Sequence, residues 1–461
     1  MAARHARFRY RTAGEVLAHA WSLGLNIPFS EKISVLFQPI RIAGRTVSNR
    51  LAVQPMEAAD ADTSGAPSEL TFRRYRRHGA GGCGIIWLEA TAVSEAGKSN
   101  PRQLLLGPKT LGKFRELARK IKAEARKSAG LDCEPLLVLQ LSHSGRFSKP
   151  YGIPAPLLVQ HNVYLDEYSK TFGEHSVAPD TELERLQEAY VLAAQMAEDA
   201  GFDGVDIKAC HGYLVSELLA GRNRTESIFG GPFKHRIRFL INTMKNIRKV
   251  LPRLLLACRL GAYDALPHPY GFGVDRGSPE RFDLSEPLAL IRELTGAGLE
   301  LLNITAGIPA WKPHIGRPFD KPRRGCEIPD EHPLEGVVRL IELASHIQKA
   351  FPSIPVIGTG YSWLRQYFPN VAASVIGNGA ASIIGLGRLS FAYPDFSLDL
   401  RENGRLDSRK VCLTCSGCSE LLSSGRPTGC VVRDRGFYRR LESPQARKSI
   451  TRHRETARHR R

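Results

Sequence analysis

The chain has 461 residues, 42% of them hydrophobic and 24% charged, with a formal net charge of +19. That length can bury a large core, as one big α/β barrel or as two or three ordinary domains, and no apolar run reaches the roughly 18 residues of a membrane-spanning helix. The charge is uneven: residues 431–461 hold eleven Lys+Arg against three Asp+Glu, a balance of +8 that leaves +11 on the preceding 430. The N-terminal MAARHARFRYRTAGEVLAHAW is basic but lacks the apolar stretch and small-residue cleavage site of a secretory peptide, so residues 1–36 are read as a helical extension of a cytoplasmic chain. Short β-branched runs follow: RLAVQPM (50–56), GIIWLEATAV (84–93), LLVLQLSH (136–143), GVDIKAC (204–210), LLLACRLG (254–261), LELLNIT (299–305), IPVIGTG (354–360) and ASIIGLG (381–387). Helical patterns separate most of them. In TELERLQEAYVLAAQMAEDA, Leu183, Leu186, Tyr190, Ala194 and Ala197 recur at helical spacing. In DLSEPLALIRELTGAG, Ser285 is the expected N-cap, Pro287 lies in the first turn and Gly296 or Gly298 stands near the stop.

Eight nearly continuous apolar strands, each followed by a helix, predict a parallel (β/α)8 barrel over residues 37–400. An open doubly wound sheet is the alternative, but no G-x-G-x-x-G follows the first strand to make its dinucleotide turn. Chemistry in such barrels sits where strands end. The polar residues there are Glu57, Glu89, Gln140 with His143, Lys208 with His211, Arg259, Asn303 and Arg388. A single charged residue after a strand is often only a loop residue meeting water; several together are harder to dismiss.

Four of the nine cysteines fall within CLTCSGCSELLSSGRPTGC, residues 412–430. Disulfides would need an oxidising compartment, for which no export signal is visible. Zinc ribbons usually set two C-x2-C knuckles apart. Here the pattern is C-x2-C-x2-C-x11-C, which suits the corners of an iron–sulfur cubane better than one small ion. Cys83, Cys133, Cys210, Cys258 and Cys326 lack ligand spacing and read as small apolar fillers. The cysteine-rich segment is taken as residues 401–434. Residues 435–461 form a basic tail expected to be disordered and solvated, so nucleic acid is not the expected partner despite the charge.

The stretch GFDGVDIKACHGYLVSELLAGRNRTESIFGGPFKHRIRF (201–239), with QLSHSGR (140–146) before it and GLGR (385–388) after, resembles the Old Yellow Enzyme family of FMN-dependent oxidoreductases. Within that family the cysteines resemble the iron–sulfur branch that includes bacterial 2,4-dienoyl-CoA reductase, 2-enoate reductase and trimethylamine dehydrogenase. The similarity runs from FQPIRIAGRTVSNRLAVQPM (37–56) to GCVVRD (429–434). It implies that Pro55, Met56 and Ala90 pack against the flavin, that Gln140 meets its pyrimidine edge, and that Arg259 lies beside N1 and the C2 carbonyl, where reduction places negative charge. It implies further that Gly360, Gly387 and Arg388 hold the FMN phosphate, and that Cys412, Cys415, Cys418 and Cys430 hold a [4Fe-4S] cluster passing single electrons to or from FMN.

Departures from the family pattern carry their own expectations. The larger relatives continue into a nucleotide-binding domain, whereas here thirty-one residues follow Cys430; either NAD(P)H reduces FMN in the barrel mouth or a separate protein delivers electrons through the cluster. Glu57 follows Pro55-Met56 where relatives often carry Thr or Cys, and a carboxylate facing the ring should be protonated or paired. Lys208 and His211 replace the usual His-x-x-His or His-x-x-Asn, while Tyr213 matches the family's proton donor. The expected reaction is NAD(P)H-linked reduction of an activated C=C bond, with Tyr213 protonating the α-carbon and Lys208 and His211 polarising the conjugated carbonyl. Asn303, Trp311 and His314 are expected to border the substrate. The Lys208 ammonium needs a partner, supplied by a carboxylate such as Asp206 or by the substrate, which favours acid or acyl-type enoates. Oxidative amine dehydrogenation is the alternative, disfavoured by a lysine at the pocket floor; an electron-transfer module without its own substrate is another. Substrate identity, NADH against NADPH and homo-oligomer formation stay open.

Overall fold

A computed structural model of the chain describes residues 5–130, 134–169, 171 and 175–442. Among them, eight parallel strands close into a barrel: β1 (Leu51–Val53), β2 (Ile85–Ala92), β3 (Leu136–Ser142), β4 (Gly204–Ile207), β5 (Leu255–Gly261), β6 (Leu301–Thr305), β7 (Val356–Gly358) and β8 (Ile383–Leu386). Each lies within a run expected to be a strand. β8 returns to pair with β1 through Ile384–Leu51, Gly385–Ala52 and Leu386–Val53. Every strand residue is buried, because helices cover the outside and side chains fill the inside; that double burial is why the runs are almost wholly apolar.

Alternate residues point inward. At the N-terminal end, Ala52, Ile85, Trp87, Leu136, Val138, Leu255, Ala257, Leu301, Ile357 and Ile383 form one apolar cluster. Two or so residues further along the strands, the inward positions turn polar: Gln54, Gln140, Asp206, Arg259 and Asn303 are all buried. The barrel is therefore apolar below and polar above, and the polar layer faces the strand ends. A hairpin of Ile40–Ile42 and Arg45–Val47, which the strand pattern did not predict, closes the lower mouth with Ile42 and Val47 in the same cluster.

β2 carries a register shift between Leu88 and Thr91. Strict alternation would aim Glu89 inward; the bulge instead turns it to the covering helix Glu69–Ala80, where Arg74 Nη2 donates to it at 2.6 Å. A bulge re-aims one side chain in this way. The helix Asp180–Asp199 lies where its periodicity places it. Helix Ser285–Gly296 starts one residue earlier than expected, since Asp283 Oδ1 accepts from both the N–H and the hydroxyl of Ser285 and so does the capping.

The first residues of the presumed tail are packed. Arg435–Tyr438 is helical, Tyr438 is 3% exposed, and Asp434 accepts from Arg73 Nη1 at 2.8 Å and Nη2 at 3.0 Å. An aromatic residue and a carboxylate with waiting partners outweigh the local excess of basic residues. The remainder, from residue 443, lies outside the described residues, as does Cys133. Among the described cysteines all are free; Cys83, Cys210 and Cys258 are buried as expected of fillers, whereas Cys326 is half-buried in a loop, where Arg323 Nη2 lies 3.5 Å from its sulfur. No helix among the described residues is long and apolar enough to cross a membrane.

Candidate active site

The polar layer has a carboxylate at its centre. Asp206, fully buried, accepts from Gln140 Nε2 at 2.6 Å, Trp87 Nε1 at 2.8 Å and the backbone N–H of Arg259 at 2.6 Å. It is thus committed within the barrel and does not partner Lys208. Asn303 and Gln54 pair amide to amide, at 2.8 and 3.2 Å, so Asn303 belongs to the barrel interior and not to the substrate border expected of it. Arg259 is different. It is 8% exposed, and its Nε is buried without a partner, a cost native interiors rarely leave uncompensated.

Above this layer three side chains from two strand ends meet. Lys208 Nζ lies 2.7 Å from Glu57 Oε1, and Tyr213 donates its hydroxyl to Oε1 and Oε2 of the same carboxylate at 2.8 and 3.0 Å. Ser99 Oγ donates to Oε2 at 3.2 Å, and Lys208 Nζ sits 3.6 Å from the centre of the Tyr213 ring. The partner Lys208 required is therefore Glu57, and Glu57 is paired, as a carboxylate near a flavin should be. Burial and the Glu57 charge push the Tyr213 hydroxyl well above its ordinary range. His211 stands beside them with φ at +66°, followed by Gly212 at +73°; two left-handed residues in succession give the sharp turn that brings Tyr213 back over β4. Burial, then Arg259, Lys208 and Arg317, hold the imidazole neutral by pushing it well below its usual value. Its Nε2 lies 3.4 Å from Thr305 Oγ1.

Walls of this mouth are apolar. Leu165, Leu266 and Ile308 cluster with Phe147, Tyr164 and Trp311, and Trp311 packs edge-on to Tyr164 and Tyr168 at 5.5 and 5.7 Å. Trp311 thus lies in the wall. His314, half-buried, is lowered to about 4 by burial and by Arg339 and Lys312.

At the ends of β7 and β8, Gly360 has φ of +100°, and a Cβ on Gly387 would come within 2.8 Å of Met56 Sδ. The left-handed φ favours glycine at 360, whereas a side chain at 387 would have to displace Met56. Arg388 opens the following helix and donates to the Pro318 carbonyl at 2.7 Å. Arg317 faces it: burial lowers that guanidinium to about 10, Arg388 is the next cause, and its Nε is buried without a partner. Two guanidiniums in one buried place, Arg388 bonded to the Pro318 carbonyl and Arg317 to Ser419 Oγ, suit an anion. Sequence reasoning missed Arg317; the signal available was a cation in the run AGIPAWKPHIGRP, already placed at the mouth.

The cysteine segment docks on the same end of the barrel. Thr428 N–H donates to the Ala58 carbonyl at 2.7 Å, one residue beyond Glu57, while Asp320 N–H donates to Thr414 at 3.1 Å and Ser416 Oγ to Lys321 at 2.6 Å. Thr414 and Ser416 have φ of +48° and +59°, and these two left-handed residues fold the loop tightly. Burial pushes Cys412 up to about 12, with Cys418 and Cys430 lesser causes, and burial also raises Cys430, to which Cys418 and Cys415 add. No three His, Cys, Asp or Glu side chains among the described residues stand close enough to share one metal ion.

Residues 35–272, more than half of the chain, match the NADH:flavin oxidoreductase / NADH oxidase family. The chain belongs to this family, the Old Yellow Enzyme family. It is 27% identical over 391 residues to an NADH oxidase of Thermoanaerobacter brockii, covering 83% of this chain and 53% of that protein; it therefore spans about half the length of that relative. The fold is shared with 2-naphthoyl-CoA reductase in complex with 2-naphthoyl-CoA (TM-score 0.70, 22% identity, 88% of this chain and 57% of that one). It is shared also with histamine dehydrogenase from Rhizobium sp. 4-9 (TM-score 0.65, 20% identity, 87% and 52%).

The FMN of an Old Yellow Enzyme barrel fits these residues. Arg259, whose Nε is buried without a partner, would meet the ring edge that gains negative charge on reduction, and Gly360, Gly387, Arg317 and Arg388 would hold the phosphate. Replacing Arg259 by Met removes a charge-assisted hydrogen bond worth about 1.5–3 kcal/mol. FMN should then bind roughly 10- to 100-fold more weakly, and its midpoint potential should fall, both read by flavin fluorescence and potentiometry. Unchanged affinity and potential would place Arg259 away from the flavin.

Proposed function

We propose that the chain is an FMN-dependent, NAD(P)H-linked reductase of activated C=C bonds in enoate or enoyl-type substrates, with a [4Fe-4S] cluster relaying electrons. The observation that carries this reading is the Tyr213 hydroxyl, kept protonated beside Glu57 and Lys208 in the apolar mouth of a barrel where Arg259 Nε is buried without a partner. FMN, when bound, supplies the hydride for the β-carbon. Tyr213 holds the proton for the α-carbon, and its raised affinity for that proton keeps it loaded at neutral pH. His211, neutral, offers a ring N–H to the conjugated carbonyl, where a donor aimed at developing enolate charge lowers the barrier most in a dry site. Phe147, Ile308 and Trp311 keep that site dry. Because Glu57 already satisfies Lys208, the preference for acid substrates that an unpaired ammonium would impose is withdrawn.

The spacing C-x2-C-x2-C-x11-C favours a cluster over zinc, whose ribbons usually set two C-x2-C knuckles apart. Cys412, Cys415, Cys418 and Cys430 would hold it, next to Ala58 at the end of β1. A second reading, amine oxidation, gains from the same structure: Glu57 cancels the lysine charge that would repel a cationic amine, and Tyr164, Tyr168 and Trp311 offer aromatic faces to it. Anaerobic mixing separates the readings. Protein reduced with NADPH should be reoxidised by an α,β-unsaturated thioester or acid; reduction of oxidised protein by a tertiary amine instead would favour the second, and reoxidation only by artificial or protein acceptors would make the chain a carrier.

A further inference from the structure

We propose that Glu57 is a proton relay that restores the proton Tyr213 gives up, drawing it from Lys208. The inference deepens the C=C reduction reading and rests on it for the direction of proton flow. One carboxylate touches both partners, and it does so through the same oxygen: Oε1 lies 2.7 Å from Lys208 Nζ and 2.8 Å from the Tyr213 hydroxyl. The hydroxyl also reaches Oε2 at 3.0 Å, and Ser99 holds that oxygen at 3.2 Å. The ammonium is 4% exposed and the carboxylate 13%, and Tyr213 is half-buried, so Oε1 is the acceptor that both donors share at the rim of the mouth.

Charge makes the relay necessary. Tyr213, Glu57 and Lys208 together are neutral with the phenol protonated. When the Tyr213 O–H bond breaks and a C–H bond forms at the α-carbon, the electron pair stays on the phenol oxygen, directly beside a carboxylate. That arrangement is unfavourable. It is relieved when Lys208 passes a proton to Oε1 and Glu57 passes one to the phenolate; one N–H bond and one O–H bond break and two O–H bonds form. The result is a neutral amine, a carboxylate and a restored phenol, after which Lys208 regains a proton from solvent. Other charges facing the group are Arg259 at the end of β5, which acts on Glu57, and His211 on the loop of Lys208, held neutral. An amide in place of the carboxylate keeps the shape and accepts both hydrogen bonds but cannot carry a proton across.

Two readouts test this. In the protein without substrate, Glu57→Gln should bring the phenolate absorbance of Tyr213, identified by its loss in Tyr213→Phe, to lower pH than in the unsubstituted chain. In turnover, Glu57→Gln should lower kcat about 100-fold, the scale of general acid–base contributions, with KM nearly unchanged, while Glu57→Asp recovers part of kcat. Lys208→Met should slow charged and neutral enoates equally, with a larger solvent isotope effect. Full kcat in Glu57→Gln, or equal loss in the Gln and Asp variants, overturns the relay. If no enoate is turned over, the C=C reading fails, and an unshifted phenolate titration in Glu57→Gln then overturns the contact on its own.

Discussion

Cys415→Ala is expected to strip the chain of iron while FMN stays in the barrel. The unsubstituted protein, made and kept without oxygen, should hold about four irons with matching sulfide; the variant should hold less than one. The reason is geometric. Cys415 sits between two left-handed residues, Thr414 and Ser416, in the tight loop that carries three of the four cysteines, and a cubane that loses a corner ligand is open to solvent. The segment itself should stay docked, because its grip on the barrel runs through Thr428 to Ala58, Thr414 to Asp320 and Asp434 to Arg73 and Arg77, none of which involves the Cys415 sulfur. Cys415 is also only half-buried, unlike Cys412, so alanine costs little packing. Iron and flavin analysis of both proteins checks this. One zinc per chain with no labile sulfide, or iron retained in the variant, would contradict it.

Arg74→Met should be the most destabilising single change, at about 3–5 kcal/mol. Arg74 Nη2 donates to Asp60 Oδ1 and Oδ2 at 2.9 and 3.0 Å and to Glu89 Oε1 at 2.6 Å. Both carboxylates are 1% exposed. Burial, despite Arg74, already raises Glu89 to about 7, so without the arginine two acids would share a dry site with no cation. The damage should spread to the active site: Glu89 Oε2 accepts the N–H of Ala58 at 2.7 Å, and Ala58 follows Glu57. Arg74→Lys should rescue part of the loss, since all three bonds come from the single nitrogen Nη2 and an ammonium carries three N–H donors. Denaturant unfolding reads the effect, and a loss below about 1 kcal/mol, the range of exposed pairs, would show that the network is not structural.

Strand positions were legible because burial on both faces leaves apolar runs that nothing else in the chain imitates. Helix Asp180–Asp199 was legible from its stripe. The hairpin at 40–47 was not, since two three-residue strands around Ala43-Gly44 are too short to show alternation. Glu89 looked like an active-site acid until the β2 bulge turned it to Arg74. Tyr213, His211 and Lys208 do meet at one mouth, but the partner of Lys208 lies 151 residues away in Glu57, and no local pattern encodes that pairing; Asp206, the nearer guess, is consumed by Gln140, Trp87 and Arg259. Arg317 escaped notice because its importance comes from facing Arg388, a relation of two loops. The cysteine spacing was plain in the sequence, whereas the place of Cys430 relative to the other three depends on how residues 419–429 fold.

Proton origin tests the proposed reaction most directly. In deuterated water, with an unlabelled nicotinamide donor and an α,β-unsaturated thioester, and without oxygen, the saturated product should carry a single deuterium at the α-carbon, delivered by Tyr213, and none at the β-carbon. Tyr213→Phe should form this product far more slowly, by about 100-fold or more. Unchanged substrate, or equal rates with and without the Tyr213 hydroxyl, would contradict the account.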